Sequence, residues 1–163
     1  MKILKNSKIL LRNILMVALI LAVNTTVLAN GNSLKESTND SFKFAKENSS
    51  EISLYNSARG NILNQGTAKV TDNGNGSVNV YGAVYGRVTC DKLTLKLTLQ
   101  RYSNGSWYNI RTFSDTAYTA LLTKSYNVQV TRGYYYRVKA ACVAQDGSII
   151  ESKDPITDGI LVD

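Results

Sequence analysis

Gly133-Tyr134-Tyr135-Tyr136-Arg137-Val138-Lys139-Ala140-Ala141-Cys142-Val143 is the stretch whose reading decides the fold. It reads as one long strand, because side chains alternate between faces with period two. Tyr134, Tyr136, Val138, Ala140 and Cys142 share a dry face. Tyr135, Arg137 and Lys139 suit a wet one. A strand with one apolar side belongs in the middle of a sheet that covers a core. Its natural partner is Lys92–Tyr102, the clearest alternation in the chain. There Leu93, Leu95, Leu97 and Leu99 face in, while Thr94, Lys96, Thr98 and Gln100 face out.

Outward from this pair, short β-runs alternate with turn signals. Thr67–Thr71 is a weak first strand. Asn73-Gly74-Asn75-Gly76 turns the chain into Ser77–Arg87, with Val78, Val80, Val84 and Val88 on one face and Tyr81, Tyr85 and Arg87 on the other. Asn104-Gly105 is a hairpin signal, since both residues tolerate positive φ. Trp107–Phe113 returns, with Trp107 and Tyr108 competing for the core. Tyr118–Leu122 is loop or turn, and Ser125–Val130 puts Tyr126, Val128 and Val130 inward. Asp146-Gly147 turns into Ile149–Ser152, Pro155 breaks the ladder, and Ile156–Val162 closes the chain. The expectation is an all-β, two-sheet immunoglobulin- or fibronectin-like sandwich of seven or eight strands over residues 59–163.

What precedes the sandwich reads differently. Lys2, Lys5, Lys8 and Arg12 form a positive region ahead of the apolar run 14–23, and Val27-Leu28-Ala29 offers small residues to a signal peptidase. Residues 1–29 are read as a signal peptide, with an uncleaved anchor as the alternative. Membrane contact is then transient and the destination is extracellular. Removing residues 1–29 takes away four bases and no acids, so the net charge falls from +7 to +3. The remaining bases are scattered, which speaks against a nucleic-acid partner. No lipoprotein or sortase signal is visible. Residues 30–58 are polar, with few apolar side chains, and read as a flexible leader or pro-segment. Ser41 as a cap suggests a short helix over 41–48.

Cys90 and Cys142 are the two cysteines. In an exported protein such a pair reads as a disulfide. The bridge would close a loop of about 53 residues, worth roughly 4 kcal/mol on the chain-entropy model. If the Leu93 and Tyr136 strands are antiparallel neighbours, the start of one lies beside the end of the other, bringing the cysteines together. The alternative is two free buried thiols. The parity of Cys90, counted back from Leu93, is outward, so the bridge needs a bulge or a place for Cys90 in the loop.

Tyr136-Arg137-Val138-Lys139-Ala140 resembles the Tyr-x-Val-x-Ala of a fibronectin type III penultimate strand, which implies an aromatic near a corner and apolar residues in the core. It departs from true immunoglobulin domains, which place Tyr two before Cys; here that residue is Ala140. From Arg59 onward the chain also resembles a family of small secreted β-domains from Gram-positive, Clostridia-like gut bacteria. The shared features are Arg59-Gly60-x-x-Leu63-x-x-Gly66, Cys90-Asp91-x-Leu93, Asn104-Gly105-Ser106-Trp107 and Gly133-Tyr134-Tyr135-Tyr136-Arg137-Val138. This resemblance implies a secreted β-domain and brings no activity, since that family has none assigned.

Chemistry is mostly excluded. The chain has no histidine, so Ser-His-Asp, Cys-His and His-based metal sites are impossible. No phosphate-binding glycine loop opens a helix. Glu151, Asp154, Asp158, Asp72 and Asp91 are read as solvated turn and strand-end acids rather than a hydrolytic pair. Asp72, Asn73 and Asn75 fit a turn as well as a Ca²⁺ loop. No catalytic residue, metal or cofactor is expected. Ten tyrosines and one tryptophan are more suggestive, because an outward tyrosine offers a flat apolar face with a polar tip. The candidate ligand-binding residues are Tyr135, Arg137 and Lys139, beside Lys96 and Arg111, and Tyr81 and Tyr85 on the other sheet. The functional expectation is a secreted, non-enzymatic binding module for a glycan or protein. The alternative is a bacteriocin-like or inhibitor protein.

Overall fold

The computed structural model describes residues 44–56 and 62–163. The signal-peptide reading and most of the leader reading lie outside the described residues. Nine strands run in order: β1 Ser49–Tyr55, β2 Leu63–Gly74, β3 Ser77–Gly86, β4 Lys92–Ser103, β5 Ser106–Ala117, β6 Leu121–Gln129, β7 Tyr134–Asp146, β8 Ile149–Lys153 and β9 Ile160–Val162. They form two antiparallel sheets, β1-β2-β3-β6 and β5-β4-β7-β8, with β9 also paired to β7. Read without β1, this is the fibronectin-type order: a first hairpin, a return of β6 to β3, and β4 flanked by β5 and β7.

The leucine strand and the tyrosine strand are central neighbours, in register from Lys92↔Gln145 to Arg101↔Tyr136. Their dry faces are the core. Leu93, Leu95, Leu99, Val138, Ala140 and Cys142 are wholly buried, and Val70, Val78, Val80 and Val84 meet them from the other sheet. Tyr136 is buried beside the β6–β7 corner, and its hydroxyl donates to the Thr131 carbonyl at 2.7 Å. The sheets approach closely where residues lack a side chain. A Cβ on Gly66 would lie 2.9 Å from Cys142 Cβ, and one on Gly82 would lie 2.5 Å from Leu97 Cδ2.

Turn chemistry set the hairpins as expected. Asn104 and Gly105 have φ of 49° and 79°, and Asn75 and Gly76 have 55° and 68°. The last strand is interrupted where Pro155 cannot donate. Thr157 repairs the ladder there, accepting from Val138 N at 3.0 Å through its hydroxyl and donating its own N–H to Val138 O.

Four expectations about the strands and the leader are corrected, and a fifth about the cysteines. The strands number nine rather than seven or eight. Ser49–Tyr55, placed in the leader, is β1, paired along its whole length with β2; Ile52 and Leu54 suffice because only one of its faces needs apolar cover. The helix expected over 41–48 begins outside the described residues, and over 44–48 the chain is not helical: Phe44 bridges to Gly159. Val88 lies beyond the end of β3 and is exposed.

The disulfide is the largest correction: Cys90 and Cys142 are both free and buried. Register explains why. The tyrosine strand runs on to Asp146, so Cys142 faces Leu95, five residues past Cys90. The three residues of β4 from Leu95 back to Lys92 already cover about 10 Å at about 3.3 Å per residue, Cys90 lies beyond them in the loop, and a disulfide spans at most about 7 Å between Cα atoms. Cys90 sits in the loop before β4, near the Val88 carbonyl.

Burial pushes the Cys142 thiol up to about 12 from its ordinary 9.0. In the unfolded chain it ionises from about pH 9, while in the fold it keeps its proton to about pH 12. The native state therefore binds more protons across this window, and stability falls as pH rises, by about 1.4 kcal/mol per unit from this group. Denaturant melts of wild type and Cys142→Ala between pH 8 and 11 should show that component only in wild type. Thiol-specific labelling should modify both cysteines after denaturation and neither in the native state. Gly66→Ala should cost about 1–3 kcal/mol, read as a lower denaturant midpoint at unchanged slope, because its methyl meets the Cys142 Cβ.

Candidate functional site

Period-two alternation on β4 and β7 turns one set of side chains away from the core. Because Thr98 pairs Lys139 and Gln100 pairs Arg137, these residues form continuous rows across the outer face of the five-stranded sheet. The adjoining strand β5 adds Thr112 beside Thr98 and Asn109 beside Gln100. Lys96, Thr98, Gln100, Asn109, Lys139 and Ala141 line a shallow depression of about 250 Å³. Ala141 supplies the low point, since its neighbours are all longer.

The polar side chains here are held in place. Arg137 Nε donates to Gln100 Oε1 at 2.8 Å, and Gln100 Nε2 donates to Asn109 Oδ1 at 2.8 Å. The Arg137 guanidinium carbon lies 4.4 Å from the Trp107 ring centre, a cation–π contact that orients the charge without neutralising it. Lys96 and Lys139 are exposed, and neither makes an ion pair among the described residues. Outward positions of β4, β5 and β7 along this face carry no carboxylate. The potential over the depression is therefore positive.

One end of the face is aromatic. Tyr102 and Trp107 are directly paired across β4 and β5, with ring centres 5.2 Å apart. Phe44 lies against them and 4.1 Å from Tyr135. The contact is possible because Gly159 has no side chain: a Cβ there would lie 2.7 Å from Trp107. Ala45 N anchors the segment to Gly159 O at 2.9 Å. Trp107 Nε1 is buried with no hydrogen-bond partner among the described residues.

The structure thus brings Tyr135, Arg137, Lys139 and Lys96 together on one face. Arg111 is not among them. A bulge between Leu99 and Gln100 shifts the β5 register so that Arg111 pairs Leu99; its guanidinium lies over Phe113, 5.3 Å from the ring centre. The same bulge settles the competition between Trp107 and Tyr108. Trp107 turns to the outer face, Tyr108 is exposed on the edge strand, and neither enters the core. Phe44, Gln100, Asn109 and Trp107 were missed as site residues. The outward parity of Gln100 was visible in the sequence. The approach of Phe44, far away in the chain, was not.

Tyr81 and Tyr85 lie on the opposite side of the sandwich, on the outer face of the four-stranded sheet. Burial raises the Tyr81 phenol above its ordinary value, and the nearby Tyr85 phenol adds to this. Arg87 does not join them; it donates to the Asn56 carbonyl at 3.1 Å. Three of the five acids have structural partners for their carboxylates. Glu151 Oε2 accepts from the backbone of Leu63 at 2.8 Å and Ile62 at 3.2 Å, Asp91 accepts from Gly147, and Asp72 accepts from Gly74 in the turn. Among the described residues, no three His, Cys, Asp or Glu side chains gather in a way that could hold a metal ion.

No protein-family model and no curated protein matches the chain. Among solved structures it is similar to the sporulation control protein Spo0M from Bacillus subtilis, at 11% identity and a TM-score of 0.31. The alignment covers 72% of this chain and 51% of that one, so the chain matches about half of that protein's length.

Trp107 is the sole tryptophan, so its fluorescence reports directly on the aromatic end. Phe44→Ala should shift its emission to the red by uncovering the indole. Unchanged emission would show that Phe44 does not shield it in solution.

Proposed function

We propose that the protein is an exported, non-enzymatic binding module whose five-stranded outer face takes an acidic glycan of the extracellular space. The observation that carries this reading is the Arg137–Gln100–Asn109 network, with Arg137 over Trp107, beside two lysines that make no ion pair among the described residues. A glycan carboxylate or sulfate would be met by Lys96, Lys139 and Arg137. Its hydroxyls would find the amides of Gln100 and Asn109 and the hydroxyl of Thr98, which both donate and accept. Its apolar ring faces would lie against the aromatic end. Arg137, Gln100 and Asn109 are already held by one another, so little of their rotamer entropy remains to be lost on binding. The signal-peptide pattern and the resemblance to small secreted β-domains agree with export.

A protein-directed role as an antagonist or inhibitor is the second reading. It is favoured by the exposed Tyr55, Val88, Tyr118, Leu121 and Ile150. These sit at strand ends and connections at one end of the sandwich, a surface suited to protein contact.

Binding of the processed protein to an array of neutral, uronate-bearing and sulfated glycans separates the two. Acidic glycans should bind, more weakly as salt rises. Lys96→Ala with Lys139→Ala should weaken binding by about tenfold, as two partly exposed charge contacts together contribute about 1–2 kcal/mol. Absence of acidic-glycan binding, together with growth inhibition or protease blockade that Tyr118→Ala and Ile150→Ser remove, would favour the second reading.

A further inference from the structure

The outer face of the four-stranded sheet lies on the far side of the core from the basic face, and its chemistry is different. Register places four rows across it: Ser49–Thr71–Asn79–Asn127, Glu51–Lys69–Tyr81–Ser125, Ser53–Thr67–Ala83–Thr123 and Tyr55–Gln65–Tyr85–Leu121. Three strand spacings make each row about 14 Å wide. Ala83 and Thr67 are buried although their parity is outward. Tyr81 and Tyr85 flank Ala83 along β3 on the same face. The two phenols thus form an apolar step beside the polar rows that begin at Ser49 and Glu51, with Tyr55 and Leu121 in the row of Tyr85.

Beside that step, Glu51, Lys69, Thr71, Asn73, Asn79 and Tyr81 line an open depression of about 500 Å³. Lys69 Nζ and Glu51 Oε2 are 3.0 Å apart, so the two charges in it cancel. Asn79 Nδ2 donates to Ser125 Oγ at 2.8 Å and Asn127 Oδ1 at 2.9 Å, and Asn73 Nδ2 donates to Asn127 Oδ1 at 3.1 Å. This network fixes three amides side by side. It leaves the oxygens of Asn73 and Asn79 and the nitrogen of Asn127 with hydrogen-bonding capacity unused among the described residues.

Uncharged amides and hydroxyls offer donors and acceptors in equal measure, which is what the hydroxyls of a sugar require. The phenol step suits the C–H face of a pyranose ring. Self-neutralised charge gives no preference for an anion. A peptide adding as a β-strand needs an open sheet edge, and this surface is a face whose central strands β2 and β3 are paired on both sides. We propose that this face is a second carbohydrate site, taking a neutral polysaccharide chain with Tyr81 as the stacking residue and Asn79 as the principal hydrogen-bonding residue. It is independent of the acidic-glycan reading.

The test is affinity gel electrophoresis of the processed protein in gels containing a mixed-linkage β-glucan, a galactomannan or a starch. At least one should retard wild type, and about 0.5 M salt should leave that affinity unchanged. Tyr81→Ala should weaken it by about tenfold or more, as truncating a stacking tyrosine does at other interfaces. Tyr81→Phe should retain most of it. Asn79→Ala, at a surface position that does not touch the core, should weaken it with an unchanged thermal midpoint and decides the matter if Tyr81→Ala unfolds. The Lys96→Ala, Lys139→Ala protein should behave as wild type. The proposal is overturned if none of the three polysaccharides retards wild type, or if retardation survives Asn79→Ala. Retardation abolished by salt or by the lysine pair, or a concentration-dependent dimer lost in Tyr81→Ala, would also overturn it, placing the ligand on the basic face or a second copy on this one.

Discussion

The pairing of β4 with β7 is the constraint on which the rest depends. Ten residue pairs, from Lys92↔Gln145 to Arg101↔Tyr136, lock the leucine strand to the tyrosine strand at the middle of the five-stranded sheet. Since alternation is strict, a slip of one residue would send Leu93, Leu95, Leu97 and Leu99 to solvent and Lys96 into the core. Burying such leucines is worth about 1.5–3 kcal/mol each, so the correct register is strongly favoured. That one choice also sets the outer face. Gln100 meets Arg137 and Thr98 meets Lys139 because the leucines between them must point inward.

The other parts of the fold accommodate this pair. Gly66 and Gly82 let the second sheet come close. Tyr136 ties the β6–β7 corner, and Thr157 mends the gap that Pro155 opens in the last strand. The open side between β5 and β6 is closed by Phe113 stacked on Tyr126, 4.0 Å between ring centres, and by Asp115, which accepts from the Tyr126 hydroxyl and pairs with Lys124 at 3.1 Å. Cross-linking comes from packing rather than from sulfur, and both cysteines behave as small apolar residues.

Much of this was legible because it follows from local rules. The Leu93–Leu99 alternation, the Asn104-Gly105 turn and the Tyr136-x-Val138-x-Ala140 pattern each state a face or a turn without reference to anything distant. What escaped depends on partners. The end of β7 is set by what pairs with it, so the strand ran past Cys142 to Asp146 and carried that cysteine away from Cys90. The bulge between Leu99 and Gln100 leaves no mark in composition, yet it reverses the facing of everything before it on β5, so Trp107 shares the outer face with Tyr102 while Arg111, beyond the bulge, pairs Leu99 and does not. β1 has only Ile52 and Leu54 to show, and becomes a strand because β2 offers it an edge. Tyr135, Arg137, Lys139, Tyr81 and Tyr85 were found by parity alone. Their division between the outer faces of two sheets was legible too, and the strand pairing agrees with it.

The most direct test of the central claim, that the β4–β7 register builds one basic and aromatic binding face, is a residue-resolved NMR titration with a uronic-acid oligosaccharide. Shifts should concentrate at Lys96, Thr98, Gln100, Asn109, Arg137 and Lys139, with the Trp107 indole responding alongside them. Shifts confined to the apolar end around Val88 and Tyr118, or no shifts at saturating ligand, would contradict it.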